Sequence, residues 1–562
     1  MRHPFRWLLI LVLLTPLLAA CGAGGGDGGF LGGNTVEVSI AYGSEKRAWL
    51  EEAVRQFNAA GRKTASGASI QVVATPMGST DSMNQILSGA IQPTVWSPAS
   101  RILLPVANDE WGKRNNGATL VDENAPLLVL SPVVIAMWKP MAEALGWPNK
   151  PLGWSDIAEL SASGKTWADF GRPEWGPLQF GHTHPDYSNS GVATIIAISY
   201  AAAEKTRGLT VADVQNPKTA EFMRNIESGV IHYGESTGFF ADQMFNRGPG
   251  YLSAAVLYEN LVIEAYNRDR YPSVSLPVVA IYPKEGTFWT DHPYAILNAP
   301  WVTDEQREAA NIFLRYLLDR PQQELALRYG YRPSNTDVAV GAPITPENGV
   351  DPQQPQTLLE VPRPDVLSAI RSIWEQNKKR VDVMAVLDVS GSMEDEGRLE
   401  QAKAALRIFV EQLQDDDGFG LTIFSDQATV LTPISPIGSR RTEVLNRIAG
   451  LTPRGGTRLL DTVVEAYQEL TATPPGQRIR AVVVLTDGLD NRSQRSAEDV
   501  LDLLRQDREG YSIKVFTIAF GGDADVHLLK EIASATGAKS YVGKPGERGA
   551  IERIYQDITT FF

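Results

Sequence analysis

Two hydrophobic periods alternate through the last third of the chain. VDVMAVLDVS (381–390) is almost unbroken apolar sequence, the pattern of a strand covered on both faces. RLEQAKAALRIFVEQL follows, with Leu399, Ala402, Leu406, Phe409, Val410 and Leu413 at helical spacing. GFGLTIFS and ATVLTPI then read as strands, and RTEVLNRIAGL and LLDTVVEAYQELTA as helices. RIRAVVVLTDG is a second buried strand, SAEDVLDLLRQ a helix and SIKVFTIAFG a third buried strand. Helix HLLKEIASAT, short strand KSYVG and helix RGAIERIYQDITTFF close the chain. Strands alternating with helices predict an α/β domain over 380–562, a doubly wound and mostly parallel sheet.

The region 35–335 alternates less regularly. NTVEVSIAY reads as a strand, and SEKRAWLEEAVRQFNAA as a helix with Ser44 at its N-cap. SIQVVATPM is a strand, GSTDSMNQILSGAIQ a helix that starts near Ser79 and Thr80, and PTVWSPAS a strand ending in Ser97. LLVLSPVVIAMW is a strong apolar strand, fit for a crossover between two lobes. The polar HTHPDYSNS opens the helix NSGVATIIAISYAAAEK, and AAVLYENLVIEAYNR and EQREAANIFLRYLLDRPQQELALRYG read as later helices. Between the two regions, the Pro-, Asn-, Gln- and Gly-rich stretch from Arg332 to Asp365 has no sustained period. It sets a linker at 336–379, whose end SAIRSIWEQNKKR reads as a short helix.

The start of the chain adds a cellular address. Arg2 and Arg6 precede an apolar run from Trp7 to Ala20. That is the layout of a secretory signal, and it is shorter than the about 20 apolar residues of a membrane span. It ends in Leu18-Ala19-Ala20-Cys21-Gly22, which resembles the lipobox of bacterial lipoproteins. The resemblance implies a signal peptide over 1–21, lipidation of Cys21, and an exported protein anchored to the bacterial cell membrane, facing outward. Cys21 is the only cysteine in 562 residues, so no intramolecular disulfide can form. The glycine-dense stretch 22–34 reads as a flexible tether. A net charge of −14 without a basic stripe argues against nucleic acid.

Candidate chemistry sits at predicted strand ends, where ligands bind in such sheets. Asp388, Ser390 and Ser392 end the first strand, Asp487 follows VVVLT, and Thr457 lies in the Gly-rich TPRGGTRLLD before a helix. Five hard oxygen groups suit Mg²⁺, with Mn²⁺ or Ca²⁺ as alternatives, whereas zinc prefers His or Cys. Asp395, Glu396, Asp490 and Asn491 read as solvated loop residues, and Asp415-Asp416-Asp417 as a charge run. No His, Cys or carboxylate is arranged to activate a water, so an enzyme is not expected.

In Asp388-x-Ser390-x-Ser392 with distant Thr457 and Asp487, the region resembles a von Willebrand factor A domain with a complete metal-ion-dependent adhesion site. The resemblance implies a Rossmann-like fold. Ser390, Ser392 and Thr457 would offer hydroxyls to the metal, directly or through water, while Asp388 and Asp487 would act chiefly through water. An open position on the ion would accept an acidic side chain from a protein partner. The segments IAYGSEKRAWLEEAVRQFN, GSTDSMNQILSGAIQPTVWSPAS and GHTHPDYSNSGVAT resemble extracellular solute-binding proteins. That implies two α/β lobes of periplasmic-binding-protein type around a cleft. Ser44, Ser79, Thr80, Ser97, Ser188, Asn189 and Ser190 would supply neutral donors there, beside helix N-termini that favour an oxyanion or a carboxylate-bearing solute. His182 and His184 read as a turn before Pro185 and not as a metal pair, and the tryptophans from Trp138 to Trp175 as packing. Two alternatives stay open: the binding receptor of an ABC-type transporter with a docking domain, and a structural adhesin with a vestigial cleft.

Overall fold

The computed structural model describes residues 35–472, 478–505, 513–546, 549–559 and 561. Cys21, the signal-like segment and the glycine tether lie outside the described residues. Among the described residues no helix is long and apolar enough to cross a membrane.

The first module has two lobes. Its strands are β1 (Thr35–Gly43), β2 (Ser69–Met77), β3 (Val95–Ser97), β4 (Val129–Trp138), β5 (Phe180–Thr183) and β6 (Val230–Gly234). They continue as β7 (Ala254–Tyr258), β8 (Val278–Ile281), β9 (Trp289–Thr290), β10 (Ala295–Ile296) and β11 (Arg332–Pro333). Lobe 1 is the sheet β10-β3-β1-β2, and lobe 2 is built on β11-β4-β7-β5-β6 with β8 and β9 also on β4. The chain leaves lobe 1 at β4 and returns at β10. The amphipathic helix Asp304–Leu318 then seals lobe 1, Phe313 packing among Val38, Ile40 and Phe57.

Two element assignments change. AAVLYENLVIEAYNR is a strand, β7, followed by the short helix Glu259–Glu264. Its first five residues are fully buried between β4 and β5, and a short apolar run cannot signal helix or strand by period alone. The long helix read into 305–330 breaks at Asp319, ahead of Pro321, giving Asp304–Leu318 and Arg320–Arg328.

The second module is one six-stranded sheet, β14-β13-β12-β15-β16-β17. Its strands are β12 (Val381–Asp388), β13 (Gly418–Phe424), β14 (Ala428–Pro436), β15 (Ile479–Thr486), β16 (Lys514–Phe520) and β17 (Ser540–Gly543). Every pairing is parallel except that of β14 with β13.

The stretch between the modules is tied down. Ala280 N–H donates to Gly349 O at 2.7 Å, Thr287 N–H to Thr357 O at 3.1 Å, and Glu360 N–H to Thr206 O at 3.0 Å, so it straps lobe 2. The helix Pro364–Asn377 then buries Trp374 on the same lobe. The Trp374 indole donates to Glu227 at 3.0 Å, and its ring stands edge-on to His184 and Tyr233. The N-terminal ends of the second sheet's strands sit against lobe 2. Lys514, the first residue of β16, lies over the Tyr251 ring, Lys539 pairs with Glu235 at 3.3 Å, and Tyr233 N–H donates to Phe561 O at 3.3 Å. The C-terminal strand ends therefore point away from the first module.

Candidate functional site

Register builds the site at those outward ends. β12 and β15 run parallel with Leu387 beside Leu485, which brings Asp388 level with Thr486 and its neighbour Asp487. Asp388 is fully buried; one oxygen accepts from Ser390 N–H at 2.7 Å and the other from Thr486 Oγ1 at 2.6 Å. Burial pushes its carboxyl up to about 6 against those hydrogen bonds. Ser390 Oγ lies 3.1 Å from Ser392 Oγ, and Ser392 Oγ donates to Asp487 Oδ1 at 2.8 Å. A Cβ placed on Gly488 would lie 3.4 Å from Thr457 Oγ1 and 3.7 Å from Ser392 Oγ, so Thr457 joins the same cluster. Gly391 N–H donates to Gly455 O at 3.0 Å and locks the two loops together.

The five predicted residues are thus brought to one place. Among the described residues no group of three His, Cys, Asp or Glu side chains gathers as a metal cage. This cluster is different in kind: three hydroxyls and two buried carboxylates, an all-oxygen set that fits a hard divalent ion. Burying a carboxylate without a cation is costly. Asp487 has Arg398 Nη1 at 2.8 Å, whereas both recorded partners of Asp388 are neutral, which favours a cation in the cluster. Two loop residues expected to be solvated also act as braces. Asn491 Oδ1 accepts from Thr457 N–H and Asp490 Oδ2 from Leu460 N–H, fixing the loop and the start of the helix Leu459–Thr471. Asp417, expected to belong to a charge run, likewise accepts from Val381 and Gln414 N–H.

The second cluster lies on the seam between the lobes. Helices begin there at Ser79, Asn189 and Thr237, with the short turn Ser44–Lys46 beside them. Gly238 N–H donates to Ser44 Oγ at 3.1 Å, and Asp81 N–H to Tyr187 O at 3.0 Å across the seam. Gly78 must lack a side chain, because a Cβ would strike Tyr187 O. Ser190 Oγ links Thr183 and Thr237 at 2.6 and 2.8 Å, Ser188 Oγ lies 3.1 Å from Thr237, and Asn189 Nδ2 donates to Tyr258 at 3.1 Å. Ser79 Oγ accepts from Ala99 N–H at 3.0 Å.

The seven predicted seam residues therefore divide. Ser44, Ser79, Ser188 and Ser190 have protein partners for their hydroxyls. Thr80 Oγ1, Ser97 Oγ and Asn189 Oδ1 are buried with no hydrogen-bond partner. Such atoms also occur in the core, at Tyr42, Trp49 and Tyr200, so these three agree with a ligand at the seam without singling it out.

Sequence reasoning passed over Thr237, Tyr258 and the buried trio Glu45, Lys46 and His292. Lys46 Nζ donates to Glu45 at 2.8 Å and lies 3.3 Å from His292 Nδ1. Burial pushes Glu45 up, but Lys46 and His292 outweigh it and hold the carboxylate well below its usual range. Glu-Ser-Thr-Gly before the helix Thr237–Arg247 carried a usable N-cap signal; nothing local marked Lys46 or His292. His182 and His184 are buried, His182 against Glu227 at 3.1 Å, and Trp138, Trp154 and Trp167 are core.

Family models match both modules: bacterial extracellular solute-binding protein over residues 38–332 and von Willebrand factor type A domain over 382–556. An uncharacterized protein of Mycobacterium tuberculosis is 24% identical over 462 residues, covering 79% of this chain. The match takes in 64% of that relative's length. Human inter-alpha-trypsin inhibitor heavy chain H6 is 28% identical over 186 residues, 31% of this chain and 13% of its own. Among solved structures, a periplasmic thiamin binding protein covers 61% of this chain and 96% of its own at 13% identity, with a TM-score of 0.44.

Proposed function

Since the chain belongs to the bacterial extracellular solute-binding protein family and carries a von Willebrand factor type A domain after that module, we propose that it is an exported, lipid-anchored binding protein with two separate sites. The interlobe seam takes a small oxyanion or carboxylate-bearing solute. The sheet-edge cluster takes a divalent ion, Mg²⁺ first, and through it an acidic side chain of a protein partner. Asp388, Ser390, Ser392, Thr457 and Asp487 hold the ion, whose chemistry is that of a Lewis acid with an open position for a carboxylate. Cys21 carries the lipid.

The observation that carries this reading is the contrast in hydrogen bonding. The seam leaves Thr80, Ser97 and Asn189 atoms without partners, while the sheet edge gathers hydroxyls around a buried carboxylate. The Thr80 and Ser97 hydroxyls beside helix N-termini suit an anion, and Asn189 Oδ1 would accept from a protonated group of the solute; carboxylates and hydroxyls suit a cation. Calorimetry of residues 35–562 with MgCl₂ and separately with a panel of oxyanions and carboxylates tests it. Mg²⁺ binding that Asp388→Ala removes, with solute binding that it spares, is the expected result. Solute binding that vanishes with Asp388→Ala would refute two separate sites. Membrane fractionation of Cys21→Ser tests the anchor, and an unchanged membrane fraction would refute it.

A further inference from the structure

Among the described residues, Arg398 pairs its side chain with a carboxylate of the sheet-edge cluster, and the adhesion motif does not include it. It is the first residue of the helix Arg398–Gln412, next to the helix's positive pole, where a cation is disfavoured. It is nonetheless buried, and its Nη1 donates to Asp487 Oδ2 at 2.8 Å. Asp523 at 3.5 Å and Glu396 at 3.6 Å hold it from the outer side, both from exposed positions. Gly521, at φ +116°, passes flat over the guanidinium; a Cβ there would lie 3.0 Å from Arg398 Cζ. Two loops and a helix start are thus shaped around this one side chain.

The consequence follows from counting oxygens and charges. Asp487 Oδ2 is held by Arg398 and Oδ1 receives the Ser392 hydroxyl at 2.8 Å. Each oxygen accepts one of these hydrogen bonds, Oδ2 being turned to Arg398 and Oδ1 to Ser392, so in this arrangement Asp487 meets the hydroxyl cluster through Ser392. A divalent ion there meets two buried carboxylates, Asp388 and Asp487, and their charges cancel. Arg398 adds one positive charge on the inner side; Asp523 and Glu396 pair with it only from exposed, water-screened positions, so the loaded site keeps a positive inner face. A carboxylate from outside offsets it.

We infer that Arg398 is a positioning residue of the site: it holds Asp487 Oδ2 turned away from the hydroxyl cluster, and its charge favours an anionic partner of the loaded site at the expense of metal affinity. The inference rests on the metal-binding reading above. It predicts opposite effects on two equilibria, which a merely structural role would not produce. Removing one nearby charge should tighten Mg²⁺ binding about tenfold, the effect of a unit charge a few ångströms away in a partly screened site.

The test is calorimetry with MgCl₂ alone on the wild type, Arg398→Gln and Arg398→Lys, followed by sodium acetate titrated into the Mg²⁺-saturated proteins. Arg398→Gln should bind Mg²⁺ about tenfold tighter and acetate about tenfold more weakly than the wild type. Arg398→Lys, which keeps the charge, should stay within about threefold of the wild type for Mg²⁺. Arg398→Gln with equal or weaker Mg²⁺ affinity overturns the inference. If Arg398→Gln does not fold, Arg398→Lys decides: weaker acetate binding with tighter Mg²⁺ binding would show that charge is not the controlling property. A wild type that binds no Mg²⁺ overturns the metal reading itself, an outcome distinct from either.

Discussion

The interlobe seam and the outer sheet edge are both polar clusters at element ends, yet they are built in opposite ways. The seam draws on elements far apart in sequence, around Ser44, Ser79, Ser97, Ser188 and Thr237, and leaves buried atoms without partners. The sheet edge draws on adjacent strands of one sheet, and its oxygens are already hydrogen-bonded to each other. The first is a seam where two hydroxyls and one amide oxygen lack partners. The second is a preformed cluster of hydroxyl and carboxylate oxygens around buried Asp388. Under the proposed function, this difference lets one chain present an anion site and a cation site without their interfering.

The largest expected effect concerns what keeps them apart. Trp374 fixes the linker helix to lobe 2 through Glu227, His184 and Tyr233. Trp374→Ala should cost about 3–5 kcal/mol in urea unfolding, as large aromatic truncations in cores do. Mg²⁺ affinity should stay within about twofold if the sheet edge is autonomous; a larger change would break the comparison. Next, Asp388→Ala should weaken Mg²⁺ binding at least about a hundredfold, or about 2.7 kcal/mol, by calorimetry.

The seam gives a smaller and more diagnostic effect. Thr80→Val and Ser97→Ala remove hydroxyls that have no partner, so the solute-free protein should gain stability, by about 1 kcal/mol each in thermal unfolding. Solute affinity should fall in the same variants. A loss of stability without solute would mean that these hydroxyls serve the fold.

How legible each region was follows from the same contrast. The alternation of VDVMAVLDVS and RIRAVVVLTDG with helices announced the second sheet, because buried parallel strands are continuous apolar runs. Asp388-x-Ser390-x-Ser392 was legible because one strand end supplies three of the five residues. AAVLYENLVIEAYNR misled because the buried strand runs straight into a helix at Glu259-Asn260, with no Gly or Pro to mark the change. Lys46, His292 and Arg398 were out of reach for another reason. Their roles come from burial beside partners that only the tertiary fold brings near, Lys46 and His292 being 246 residues apart.

The smallest effect is that of pH on the module junction. Lys539 lies between Glu235 and Asp557, and Asp81 of lobe 1 and Arg553 complete the charges facing Asp557. Burial, with Glu235 adding to it, pushes Asp557 from 3.8 up to about 6. The folded state therefore holds its proton more tightly than the unfolded one. Asp557's relative contribution is most favourable below the unfolded value, declines as pH rises, and is lost above about 6. Asp557 is partly exposed, so the effect is screened. Asp557→Asn should flatten the change in unfolding midpoint between pH 5 and pH 7.5 without altering Mg²⁺ affinity; an unchanged pH profile would remove Asp557 from the account.

The measurement that bears most directly on the whole account is thermal unfolding of residues 35–562 with Mg²⁺, with a panel of oxyanions and carboxylates, and with both together, in the wild type and in Asp388→Ala. A ligand at a hundredfold excess over its dissociation constant stabilises by about 2.7 kcal/mol. The account predicts two shifts that add in the wild type, and in Asp388→Ala a solute shift that survives while the Mg²⁺ shift disappears. A single shift, common to solute and metal and lost together in Asp388→Ala, would contradict it.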